Sequence, residues 1–167
     1  IDGRLSDALG YAGRTMPRRA SAFKPPLGKP ALLREIDGLP PLGPKTATSD
    51  DEIRGRQEML LAVDDSLGRI VALLDRKGAL DNTMIVFTSD HGYFYGEHGL
   101  NEGRRLAYED TIRIPLVIRF PPLAKAGSTP SAMVLSLDIA PTLLEAAGLQ
   151  PGARIQGPSL LPVLKEE

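Results

Sequence analysis

Thr83-Met84-Ile85-Val86-Phe87-Thr88-Ser89-Asp90-His91-Gly92 is the stretch on which the fold turns. Thr83 to Thr88 is apolar and β-branched without alternating, the pattern of a strand buried on both faces. Behind it, Ile53, Leu60, Leu61, Val63, Leu67, Ile70, Val71 and Leu74 recur at spacings of roughly three and four. That period predicts one long amphipathic helix over Ile53 to Arg76, packed on the strand by Leu60, Val63, Leu67, Ile70, Val71 and Leu74. Ser49-Asp50-Asp51-Glu52 has the Ser-x-x-Glu form of a capping box at its start, and Gly78 supplies its stop.

Ahead of the strand, Ile114 to Arg119 reads as a second strand with Pro115 at its entry, and Ala132 to Ser136 as a third. Asp138 is placed to cap a helix running from Ile139 to Ala147, with Pro141 tolerated in the first turn and Gly148 as terminator. The order helix, strand, long loop, strand, strand, helix predicts an α/β fold, part of a mixed sheet flanked by helices. In such sheets ligands gather beyond the C-terminal ends of strands, and the loop after Thr88 leaves such an end.

That loop, Ser89 to Leu100, holds both histidines of the chain, His91 and His98, beside Asp90, Glu97 and three glycines. A carboxylate and an imidazole adjacent at a strand terminus can turn toward one cation, because the chain leaves the pleat there. Asp90 favours a hard cation, and one imidazole keeps magnesium, manganese and zinc open as well. The alternative is a turn in which Asp90 bonds its own backbone, with Gly92 permitting a sharp exit and His98 as a surface residue. Tyr93, Phe94 and Tyr95 read equally as an aromatic wall for a ring substrate or as packing.

Composition excludes several classes. The 167 residues are 42% apolar and 25% charged, enough for a single domain with a real core. Twenty basic residues face twenty-one acidic ones, so no nucleic-acid or anionic-membrane footprint is present, and no apolar run reaches membrane-spanning length. Without cysteine there is no disulfide, thiolate zinc site or cysteine nucleophile within the chain. Seven prolines between Pro17 and Pro44 mark residues 1–48 as an irregular Pro-rich segment, leaving 49–167 as the ordered part.

Asp81 to Gly92, then Gly96-Glu97-His98-Gly99-Leu100, Tyr108-Glu109 and Ile112 to Leu116, resemble the sulfatase family of the alkaline phosphatase superfamily. Asp138 to Leu144, Ala147-Gly148 and Gln156 to Pro162 resemble the same family's closing segment, so the likeness runs from about Ser49 to Leu164. The resemblance implies the C-terminal half of a sulfatase catalytic domain and a sulfuric ester hydrolase acting on a sulfate-ester small molecule or glycan. It implies a divalent metal, calcium first with magnesium or manganese as alternatives, to which Asp90 and His91 donate ligands. It also implies a basic residue four before Tyr108 that touches the sulfate. Arg104 holds that place and Arg105 competes for it, while His98 faces the substrate; His98 and Arg104 are the catalytic candidates.

The same resemblance implies an N-terminal half with two more aspartates and a formylglycine nucleophile, so the chain is expected to be truncated at both ends, inactive alone and prone to self-association. Thr15-Met16-Pro17-Arg18-Arg19 has the shape Thr-x-Pro-x-Arg, but no acidic strand end precedes it and too little chain separates it from Asp90. Arg14, Arg18 and Arg19 are read as a solvated turn or as surface that meets the missing half. A phosphate or phosphonate ester hydrolase of the same superfamily is the second reading, and a non-catalytic module that keeps the fold is the third.

Overall fold

The computed structural model describes Arg18, Ala22, residues 48–100 and residues 106–165. Nearly all of the Pro-rich segment, with Arg14, Thr15 and Arg19, lies outside them, as do Arg104 and Arg105. The described elements are the helices α1 (Asp50–Arg76), α2 (Glu109–Ile112), α3 (Ile139–Ala146) and α4 (Leu161–Leu164), and the strands β1 (Ile85–Thr88) and β2 (Leu116–Arg119). Short 3-10 turns cover Leu80–Asn82 and Ser136–Asp138. The chain divides into two compact units, one of residues 1–72 and 91–114, the other of residues 73–90 and 115–167.

Helix α1 begins where its cap predicts. The Glu52 N–H donates to Ser49 Oγ (3.1 Å), while the Glu52 carboxylate turns to Arg56 (2.8 Å). Only the forward half of the capping box is thus used. At the far end Gly78 is left-handed (φ 64°). Its N–H donates to the Asp75 carbonyl (2.8 Å) and that of Ala79 to Leu74 (2.9 Å), the paired bonds of a Schellman stop. Helix α3 ends the same way, with Gly148 bonded to Glu145 and Leu149 to Leu144.

The expected burial of the α1 stripe is corrected. Ile53 and Arg54 near the start are buried, but Leu60, Val63 and Ile70 are exposed, and Leu67, Val71 and Leu74 only half-buried. Helical spacing says which residues share a face; it does not supply the surface that would cover that face.

In the second unit β1 and β2 pair antiparallel, from Ile85 opposite Arg119 to Thr88 opposite Leu116. Arg119 locks the register at one end by donating to the Leu80 carbonyl and to Asp81 (both 2.8 Å). Thr88 Oγ1 closes the other end on the Pro115 carbonyl (2.8 Å). β1 is not buried on both faces: Phe87 and Thr88 are exposed. This pair is the whole sheet among the described residues, and the third strand expected at Ala132 to Ser136 is absent there. Met133 is 94% exposed, and the Leu135 N–H donates to Asp138 Oδ2 (2.8 Å) instead of to a ladder. An apolar run makes a strand only where an edge is offered to it.

Asp138 does not cap α3 with its side chain, which serves the preceding 3-10 turn. Its carbonyl accepts from Thr142 Oγ1 (2.6 Å), and that buried hydroxyl accepts from the Leu160 N–H (2.7 Å). This relay fastens the closing segment to α3. A cavity of about 950 Å³ in this unit is lined by β2, residues 120–134 and the region of α4, and neither histidine lines it.

Candidate functional site

The loop after β1 is fixed by backbone contact. The Gly92 N–H donates to the Thr111 carbonyl (2.8 Å), and a Cβ on Gly92 would stand 2.0 Å from the Asp110 carbonyl oxygen. Glycine is therefore required here by close approach of two backbones, where the sequence suggested a sharp exit. Thr111 Oγ1 donates to the Leu106 and Tyr108 carbonyls, which shapes the other side of the approach.

Around this frame the aromatic residues divide. Phe94 is fully buried (0% exposed) and meets Tyr108 edge-on at 5.7 Å, so it is core and not a substrate wall. Tyr93 and Tyr95 pack on each other at 5.4 Å and on the Arg56 guanidinium, which lies 4.0 Å from the Tyr93 ring centre. Hydrogen bonding with the Tyr93 side chain pushes the Arg56 pKa up, against the opposing cost of burial, so the charge is permanent. A cation held on ring faces ties helix to loop.

Arg18 adds a second tie. It donates to the carbonyls of Tyr95 (2.8 Å) and Thr48 (2.7 Å) and pairs with Asp50 (2.8 Å). This corrects the solvated-turn reading of Arg18, since a guanidinium satisfying two carbonyls and a carboxylate is structural.

Of the expected site residues, Asp90 is exposed at the end of one compact unit and His91 half-buried at the start of the other. His91 Nδ1 lies 2.7 Å from the Gly92 carbonyl. A carbonyl only accepts, so Nδ1 donates in this bond, and Nε2 is the ring nitrogen that would face a metal. Among the described residues no three His, Cys, Asp or Glu side chains come together as a metal cluster.

His98 has φ 56°, a left-handed backbone uncommon outside glycine. Its Nε2 lies 3.0 Å from Asp110 Oδ2. Its ring stacks on Tyr108 at 4.4 Å, tilted 25°. Gly96 and Gly99 on either side also have positive φ, and Leu100 N–H donates to the Glu97 carbonyl (2.9 Å), so His98 rides on a tight turn. Buried Glu97 accepts from the Tyr95 N–H (2.5 Å). Sequence reasoning missed Asp110 as the partner of His98, and it missed Arg56; neither spacing nor residue type singled them out.

Residues 10–149 match the Sulfatase family. The chain is 51% identical over 108 residues to an N-acetylglucosamine-6-O-sulfatase of Bacteroides thetaiotaomicron, covering 65% of this chain and 19% of that protein. It superposes with TM-score 0.60 and 51% identity on a solved complex with the substrate D-glucosamine-2-N,6-O-disulfate, covering 65% of this chain and 22% of that one. A phosphonate monoester hydrolase from Silicibacter pomeroyi gives TM-score 0.60 at 33% identity, over 77% of this chain and 25% of that one. The chain thus spans about a fifth of the length of its first curated relative.

Proposed function

Because the chain belongs to the sulfatase family, we propose that it supplies one side of a site that hydrolyses sulfuric esters. The observation that carries this reading is the identity to the N-acetylglucosamine-6-O-sulfatase. A 6-O-sulfated glucosamine is accordingly the proposed substrate. The division into a Pro-rich segment at 1–48 and a catalytic part at 49–167 belongs to the same proposal.

The family generally uses a divalent metal. Asp90 and His91 are its proposed ligands here, with calcium as the ion and magnesium or manganese as alternatives. An oxygen from Asp90 and the Nε2 lone pair of His91 suit a divalent cation in kind. They fall short in number, since a hard cation takes about six donors. When bound, such an ion clamps and polarises the ester oxygens. Arg104 or Arg105 would set a planar guanidinium against a sulfate oxygen. His98 would touch the substrate.

The experiment is turnover by the full-length natural protein of a sulfate ester beside the matching phosphonate ester. Preference for sulfate is expected, and preference for phosphonate would move the assignment to the second reading, which the likeness to the phosphonate hydrolase favours. Turnover of neither would favour a non-catalytic module. The 167-residue chain alone should release no nitrophenol from nitrophenyl sulfate, even with calcium. Its exposed Met59, Leu60, Val63 and Ile70 support self-association, read as a sedimentation coefficient that rises with concentration.

A further inference from the structure

The geometry points to Asp110 as a positioning residue that holds the His98 ring by Nε2 and leaves its Nδ1 edge to meet a substrate hydroxyl. This inference rests on the sulfatase reading and on His98 facing the substrate.

The observations are local to one compact unit. The Asp110 side chain is 5% exposed, and its Oδ2 lies 3.0 Å from His98 Nε2. Nε2 is thereby committed to the carboxylate. The ring keeps 30% of its side-chain surface open, and Tyr108 stacked on it fixes its plane. The left-handed backbone at His98 costs about 1 kcal/mol or more. A strained residue held by a buried carboxylate and a stacked ring is not a surface histidine; its orientation is imposed.

The consequence is chemical. With Nε2 committed to Asp110, Nδ1 is the ring nitrogen that remains to meet the substrate. A hydroxyl both donates and accepts, so an O–H on the sugar beside the ester fits Nδ1. A site built to bond a hydroxyl discriminates strongly against analogues that lack it. Asp110 would thus act on specificity through His98 without touching the substrate.

The test uses the full-length protein and two esters, glucosamine 6-sulfate, which carries hydroxyls, and nitrophenyl sulfate, which carries none. His98→Ala should lower kcat/KM for the sugar sulfate more than for the aryl sulfate. Asp110→Asn should move the ratio of the two in the same direction by roughly tenfold, the loss of one charge-assisted hydrogen bond. The double variant should fare no worse than His98→Ala alone, because Asp110 works only through that ring. Should Asp110→Asn fail to fold, Asp110→Glu, which keeps the charge, is compared with wild type and should retain the sugar preference. Equal losses on both esters, or losses that multiply in the double variant, would overturn the inference and leave Asp110 a structural residue. A wild-type protein that turns over neither ester overturns the sulfatase reading, and this inference falls with it.

Discussion

The loop from His91 to Leu100 and the middle of helix α1 differ in what holds them. In the loop each polar turn is answered close by: Gly92 on Thr111, Tyr95 on Glu97 and Arg18, His98 on Asp110. In α1 the apolar positions Leu60, Val63 and Ile70 share a face and stand open. Hydrogen bonds of fixed geometry specify one arrangement, whereas an apolar stripe specifies only that something apolar should cover it. The loop is therefore the better determined of the two.

Substitutions can break this contrast. Gly92→Ala should have the largest effect, about 3 kcal/mol or more, because the methyl group meets the Asp110 carbonyl oxygen and neither backbone can yield. Urea unfolding would show it, and an unchanged midpoint would mean that the two backbones are not in contact. Thr142→Val should cost about 1–3 kcal/mol by leaving the Leu160 N–H buried without its acceptor. Thermal unfolding reads this, with Thr142→Ser expected to recover most of the loss. Gly78→Ala should cost about 1 kcal/mol, the usual penalty of a side chain in a left-handed stop. In dilute protein, below the concentration at which the chain self-associates, Leu60→Ala on the open stripe should stay within about 0.5 kcal/mol. A loss of about 2 kcal/mol or more there would show that the stripe is covered in solution and would erase the contrast.

Much of the fold was legible because its signals are local. Ser49 and Gly78 bracket α1, Gly148 ends α3, and β1 and β2 lie inside the runs that predict them, each shorter by two residues at its start. The third strand was not legible, because pairing depends on an edge elsewhere and Ala132 to Leu135 meet none among the described residues. In the candidate site, the closeness of Asp90, His91 and His98 along the chain was visible, while the contact of His98 with Asp110 was not. Asp110 meets His98 where a non-glycine residue adopts a left-handed turn, a conformation that no pattern around Gly96-Glu97-His98-Gly99 announces. Arg18 bonding Tyr95 across 77 residues is equally beyond any periodicity.

The central claim is that Asp90 belongs to the metal side of a sulfate-ester site, and the most direct measurement is sulfate release from glucosamine 6-sulfate by the full-length protein, wild type against Asp90→Ala. The account predicts a loss on the order of 100-fold or more, because removing a ligand costs at least as much as removing an outer-shell partner. It also predicts a drop in the calcium bound per molecule, measured on the same preparations. Equal turnover and equal calcium in the two proteins would contradict the assignment and return Asp90 to the role of a turn residue.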